Sequence, residues 1–175
     1  MALNGPLKNY VVSSHNGVIS VASTDPATSL ANLLTNIEQI KFSDFTTVYD
    51  LGSSADKTVY LLYKAAFGRL PDTGGFRYWA GVADANTLPI LKIADNFIGS
   101  SEFTQKYGLN LNTQQFVTEL YNNVLGRAPD SGGLNFWVDT INNGATRDTV
   151  LLSFASSPEN VNITGSYTQN GYWTV

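Results

Sequence analysis

The chain changes its hydrophobic period near Ser54. Before that point apolar residues come in short, closely spaced runs. Tyr10-Val11-Val12 and Val18-Ile19-Ser20-Val21 flank His15-Asn16-Gly17. Asn-Gly between two such runs predicts a β-hairpin. Leu30, Leu33, Leu34 and Ile37 then fit one face of a short helix, while Thr35-Asn36 also suits a turn. Ile40 and Phe42, then Thr47, Val48 and Tyr49, predict two more short strands around Ser43-Asp44. Together these form a small sheet or ribbon, too slight to stand as an independent domain.

From Ser54 the spacing becomes helical. Val59, Leu62, Tyr63, Ala66 and Phe67 fall at i, i+3, i+4, i+7 and i+8. Val117, Leu120, Tyr121, Val124 and Leu125 repeat that face at a fixed offset. The match continues beyond the helix. Gly68-Arg69, Pro71-Asp72, Gly74-Gly75 and Trp79 return as Gly126-Arg127, Pro129-Asp130, Gly132-Gly133 and Trp137. Such self-similarity predicts two stacked copies of one supersecondary unit. Gly68 and Gly126 are expected C-terminal caps. Arg69 and Arg127 stand by the negative helix ends, where cations are favoured. The prolines stop the helix, and Asp72 and Asp130 are expected to cap the next one. Thr87 and Thr146 read as caps of a third helix. Its apolar face is Ile90, Ile93, Ala94, Phe97 and Ile98 in copy one, and Val150, Leu151 and Phe154 in copy two. Both copies then reach an acidic residue, Glu102 or Glu159. Asn112 with Gln115 forms a capping box in sequence.

The expected class is α+β and mainly α. Residues 1–53 make a small β element. Residues 54–160 make a helical pseudo-repeat of two similar three- to four-helix units, 54–111 and 112–160. Residues 161–175 form a polar tail, ending in the aromatics Tyr172 and Trp173.

Composition narrows the chemistry. The chain has 175 residues and 43% hydrophobic content, enough for a real core. Only 14% of residues are charged and the net charge is −4. That argues against nucleic acid, which needs clustered Lys and Arg. It argues equally against anionic membranes, and no apolar run is long enough for membrane insertion. No cysteine is present, so disulfides and thiolate metal sites are ruled out. Residues Met1 to Pro6 show no secretory signal. The single histidine, His15, stands in the hairpin turn. No nucleophile–base order, zinc motif or carboxylate pair appears, which argues against an enzyme. Asp44, Asp50 and Asp56 are compatible with calcium, but no EF-hand spacing indicates it, and no cofactor is expected.

The repeated residues each read two ways. Arg69 with Asp72, and Arg127 with Asp130, form either a structural pair across a turn or a ligand clamp for a repeating polymer. Were the pair buried, losing one partner would cost roughly 3–5 kcal/mol. The Gly-Gly pairs lack the context of a phosphate loop, so Gly74 and Gly132 read as points of close helix approach. Trp79 and Trp137 are either core residues, where Trp→Ala costs roughly 3–5 kcal/mol, or a sugar-stacking platform. Tyr63 and Tyr121 belong to the core face. Tyr172 and Trp173 are candidate ligand contacts.

These residues resemble a known family. Tyr63, Phe67-Gly68-Arg69, Pro71-Asp72, Gly75, Trp79, Ser101-Glu102-Phe103 and Tyr107-Gly108 are similar to the bacterial "domain of unknown function 4214" helical repeat. Leu120-Tyr121, Leu125-Gly126-Arg127-Ala128-Pro129-Asp130, Trp137 and Ser157-Pro158-Glu159-Asn160 resemble it more closely still. The helical linker domains of phycobilisomes are a more distant likeness. Residues Leu34-Thr35-Asn36-Ile37-Glu38 and Phe42-Ser43-Asp44 look like a β unit that often precedes the repeat. That unit occurs near the C-terminal ends of proteins exported by type I secretion. The glycine-rich calcium nonapeptides that often accompany it are absent, so calcium binding does not carry over. The resemblance implies an extracellular or cell-surface location. It implies a non-catalytic module that binds carbohydrate or anchors the parent protein at the surface. The alternative is a structural protein–protein module for self-assembly or scaffolding. Expected partners are a surface polysaccharide or other modules of the same parent chain.

Overall fold

The computed structural model describes residues 1–15, 18–28, 31–35, 39–44, 47–50, 53–164 and 172–174. Among them the chain forms six strands, eight α-helices and two single 3-10 turns, an α+β fold that is mainly α. It divides into two compact units, Met1–Lys57 with Gly165–Val175, and Thr58–Thr164.

The first unit holds two three-stranded antiparallel sheets. Strands β1 (Tyr10–His15), β2 (Val18–Ser23) and β3 (Ala31–Thr35) form one of them in sequence order. His15 faces Val18 in register, so the hairpin is as tight as the pattern predicts. Its turn, Asn16-Gly17, and the side chain of His15 lie outside the described residues. The short helix that fitted Leu30–Ile37 is not formed; Leu30 and Ile37 themselves lie outside the described residues. Ala31–Thr35 is extended because β2 has a second edge to satisfy, and Ile19 pairs with Leu34 across it. Strand alternation then turns Leu33 outward, 71% exposed, while Leu34 packs on the core. That core is Val12, Ile19, Val21, Ile40 and Phe42, with Tyr10 tilted against Phe42 at 5.4 Å.

Strands β4 (Gln39–Lys41), β5 (Thr47–Asp50) and β6 (Tyr172–Thr174) form the second sheet. Of the expected tail, residues 161–164 continue the last helix and Tyr172–Thr174 form a strand, with Trp173 opposite Tyr49. The N-terminal residues run along β4. Leu3 N–H donates to Lys41 O at 2.8 Å, and Lys41 N–H donates to Met1 O at 2.9 Å. Ala2 bridges Lys41 in parallel sense, which pairs backbone groups that β4 otherwise presents to water.

The second unit is helical: α1 (Ser54–Phe67), α2 (Thr73–Asp84), α3 (Ile90–Ile98), α4 (Ser101–Tyr107), α5 (Thr113–Leu125), α6 (Ser131–Asn142), α7 (Arg147–Ala155) and α8 (Pro158–Thr164). The amphipathic faces read from the sequence are buried. Val59, Leu62, Tyr63 and Ala66 of α1, and Val117, Leu120, Tyr121 and Val124 of α5, are all inside. Helix α3 packs on α7, and α5 packs on α6, α7 and α8. Phe97 of α3 collects three rings: Tyr63 at 4.9 Å, Phe67 at 4.8 Å and Trp79 at 5.4 Å. Phe154 of α7 meets Tyr121 at 5.0 Å and Trp137 at 5.2 Å.

The helix ends explain much of the sequence. Gly68 and Gly126 take φ of +67° and +66°, the left-handed conformation that ends α1 and α5. Asp72 and Asp130 accept the N–H of Gly75 and Gly133, each at 2.8 Å. The Asn112–Gln115 capping box is formed in both directions. Thr87 is not the cap of α3. Pro89 disfavours helical backbone at Leu88, so α3 starts after it with Pro89 as N-cap. The Thr87 N–H instead closes the end of α2 on Val82 O. Thr146 holds the N-cap position of α7, but its hydroxyl pairs with that of Thr149.

The close approach falls on the second glycine of each pair. A Cβ at Gly75 would collide with the hydroxyl of Tyr63, and one at Gly133 with that of Tyr121. Gly74 and Gly132 meet only their capping aspartates at 3.5 and 3.3 Å. Each tyrosine thus reaches from the first helix of its group to the start of the next, where only glycine leaves room. Gly133→Ala should therefore destabilise the protein by about 1–3 kcal/mol, the usual cost of overpacking. Adding Tyr121→Phe should recover part of that loss in urea unfolding. An alanine variant as stable as the parent would remove this packing argument.

Candidate functional site

The Arg-x-Pro-Asp turns build one arrangement twice. Arg69 follows the left-handed glycine that ends α1, and Arg127 follows the one that ends α5. The expected Arg–Asp pairs are the weaker part of it, at 3.5 Å for Arg69–Asp72 and 3.9 Å for Arg127–Asp130. The main partner is a glutamate from the fourth helix of each group. Arg69 donates through Nε and Nη2 to the two oxygens of Glu102, at 2.5 and 3.0 Å. Arg127 does the same to Glu159, at 2.6 and 2.9 Å. Such fork-on-fork pairs are strong and directional. Each guanidinium also lies near an aromatic face, Arg69 at 5.4 Å from the Tyr63 ring centre and Arg127 at 4.9 Å from that of Tyr121. A third donor serves the neighbouring backbone, Arg69 Nη1 to Leu70 O at 3.0 Å.

The arginines are not buried. Arg69 and Glu102 are 40% and 43% exposed, so the cost attached to a buried pair does not apply. Glu102 and Glu159 were visible in the sequence as matched acidic residues. Their pairing was not, because the partners lie far apart in the chain. The signal that would have found it is that Arg and Glu recur together at nearly the same spacing.

The electrostatics follow the contacts. The Arg69 hydrogen bonds hold the Glu102 carboxyl below its usual value, and Arg127 does the same to Glu159. The Gly75 N–H lowers Asp72 first, and Gly133 N–H lowers Asp130. Burial, helped by the Asp72 charge, pushes the Tyr63 hydroxyl up to about 12. Burial also raises Tyr107, whose hydroxyl donates to Ala65 O at 2.6 Å. These tyrosines stay protonated at neutral pH and serve as packing and hydrogen-bonding groups.

Trp79 and Trp137 lie at the rim of the core, half-buried rather than enclosed. The residue before each is the more exposed ring. Tyr78 is 62% and Phe136 61% exposed, at matched positions on α2 and α6. Each stands edge-on to its tryptophan, with centroids at 4.9 and 5.1 Å. Neither Tyr78 nor Phe136 was singled out from the sequence. Their recurrence beside the repeated tryptophans was the available signal.

Tyr172 and Trp173 lie on β6 with their backbones paired to Asp50 and Tyr49. Their side chains fall outside the described residues. No group of acidic or histidine residues suited to a metal ion occurs among the described residues. No helix there is long and apolar enough to cross a membrane.

A family model described as "Domain of unknown function (DUF4214)" matches residues 94–164. That span runs from Ala94 within α3 to the end of α8. It includes Glu102, Phe136, Trp137 and the whole Arg127–Glu159 pair, and stops short of Arg69. No curated protein matches the chain.

A depressed carboxylate stabilises the fold fully above its unfolded value, and that contribution fades as pH falls through the folded value. The melting temperature should thus hold from pH 7 to 5 and drop below the ordinary glutamate value of 4.5. The double variant Glu102→Gln, Glu159→Gln should melt lower at pH 7 and show a shallower acid slope. The Arg69–Glu102 part of that loss is at most about 1 kcal/mol, given its exposure. An acid slope identical to the parent's would show that the pairs carry none of it.

Proposed function

We propose that this chain is a non-catalytic binding module of an exported bacterial protein, and that it holds that protein to polysaccharide outside the cell. The exposed Tyr78 and Phe136 rings carry the reading. The apolar faces of pyranose rings stack on exposed aromatics, while the sugar hydroxyls need neutral hydrogen-bonding groups at the rim. A surface poor in charge and rich in Ser, Thr, Asn and Gly supplies such groups. The arginines and aspartates first considered as a clamp have internal partners, so the recognition role passes to the rings.

The reading extends the matched family domain to the whole helical unit. On this reading helices α1–α4 are a diverged counterpart of α5–α8, with Arg69–Glu102 standing for Arg127–Glu159. The fourth helices differ in what they bury. Phe103 and Tyr107 stack at 4.1 Å in α4, whereas buried Asn160 and Thr164 bond to backbone oxygens in α8. The β unit before the helices serves as the link to the rest of a type I-secreted chain. No cofactor is required by this reading, and calcium has no part in it.

A second reading, self-assembly, draws on the outer face of the β1–β2–β3 sheet. Val11 and Leu33 are exposed there, and Ser13, Ser20, Ala22 and Ala31 share the face without a charge. Uncharged flat faces of this kind favour contact with another protein.

A glycan array and a whole-cell pull-down test the first reading against the second. Saturable binding to one glycan class, lost in a Tyr78→Ala, Phe136→Ala double variant, is expected. Absence of glycan binding together with a concentration-dependent dimer in light scattering would replace it with self-assembly.

A further inference from the structure

We propose that Asn4-Gly5 is a site of spontaneous backbone isomerisation, and that its isoaspartyl product releases the first residues of the chain from β4. No sugar takes part, so the site is independent of the carbohydrate reading above.

An asparagine followed by glycine carries its own nucleophile. The glycine backbone nitrogen attacks Cγ of the asparagine side chain, and no Cβ on the glycine blocks the approach. A bond forms between that nitrogen and Cγ. The bond from Cγ to Nδ2 breaks, and ammonia leaves with the proton of the glycine N–H. Water then opens the cyclic imide at either carbonyl. One product is aspartate in the ordinary backbone. The other is isoaspartate, whose backbone runs through Cβ and Cγ and is one atom longer.

Two Asn-Gly pairs lie among the described residues, and the fold treats them differently. Asn143-Gly144 is held at the end of α6. Asn143 Nδ2 donates to Asp139 O at 2.8 Å, and the Gly144 N–H donates to Ile141 O at 3.0 Å. Both reacting groups are engaged, so the helix end has to open before they meet. Asn4 is exposed. Among the described residues no hydrogen bond holds its side chain or the Gly5 N–H. Glycine is also the residue that fits at position 5. A Cβ there would press on the Tyr10 ring at 3.0 Å, and that ring is packed on Phe42.

Asn4 stands between two sets of ties. Before it, Met1 O accepts the Lys41 N–H at 2.9 Å, and the Leu3 N–H donates to Lys41 O at 2.8 Å. After it, Gly5 O accepts the Ser43 N–H at 3.1 Å, and the Leu7 N–H donates to Asp44 Oδ2 at 3.1 Å. An extra backbone atom at residue 4 destroys the register between the two sets. The later set has two anchors on the core, Leu7 and Tyr10, against Leu3 alone before it. The earlier set is therefore the one released, and the Lys41 edge of β4 is opened to water.

The experiment ages the whole chain in mildly alkaline buffer and follows its tryptic peptides by mass spectrometry. Peptide 1–8 carries Asn4 and peptide 128–147 carries Asn143-Gly144, so the two pairs are read separately. The first should convert, chiefly to isoaspartate, about ten times faster than the second or more, since only the second waits on local opening. Amide hydrogen exchange, read by nuclear magnetic resonance, should speed up about tenfold or more at Lys41 in the aged protein and stay unchanged at Ile19 and Val21. Asn4→Asp carries the same charge without the extra atom and should exchange like the fresh parent. Asn4→Gln closes the imide ring far more slowly and should keep Lys41 protected through the same ageing. An unmodified peptide 1–8, or equal conversion of the two peptides, would overturn the site. Conversion without faster exchange at Lys41 would overturn the release. So would an Asn4→Asp chain that exchanges as fast as the aged parent, or an aged Asn4→Gln chain that loses protection.

Discussion

The helical unit depends on one contact, a tyrosine hydroxyl seated on a glycine at the start of the following helix. Tyr63 on Gly75 and Tyr121 on Gly133 set how closely the second helix of each group approaches the first. The turn between them has to be short and sharply reversed. A left-handed glycine ends one helix, proline forbids its continuation, and aspartate caps the next. Each of these residues is needed for a different reason, which is why the whole string recurs and not its hydrophobic pattern alone.

Once that approach is set, the remaining contacts fall into place. The tyrosine ring is brought against Phe97 or Phe154, and the tryptophan of the second helix comes down on the same phenylalanine. The arginine after the turn is left pointing at the start of the fourth helix, where a glutamate closes the circuit. The bidentate pair is exposed and adds modestly to stability. Its larger effect is geometric, since a planar fork accepts its partner in few orientations. The exposed ring beside each tryptophan is then carried outward on a rigid base.

Much of this was legible in the chain itself. Periodicity placed the helices, and Asn-Gly placed the first hairpin, because both depend on residues close in sequence. The capping aspartates and the Asn112–Gln115 box were equally local. Ala31–Thr35 was ambiguous because a short apolar run suits helix or strand, and only the unsatisfied edge of β2 decides between them. Thr87 was misread as a cap because its residue type suits the role, while Pro89 two residues later controls where the helix can begin.

What the sequence by itself determined were features whose cause lies within a helical turn or a hairpin: the first hairpin, the helical period after Ser54, and the helix ends and caps at Gly68, Gly126, Asp72, Asp130 and Asn112. The tertiary structure decided which recurring residues meet. It gave Arg69 and Arg127 to distant glutamates and not chiefly to the aspartates three residues on. It moved the close approach from Gly74 and Gly132 to Gly75 and Gly133. It put Trp79 and Trp137 at the rim and turned Tyr78 and Phe136 to solvent. The physical reason is common to all three. A one-dimensional pattern records which groups are able to interact, but distance and facing are set only when helices pack, and the strongest available geometry then takes precedence over the nearest neighbour.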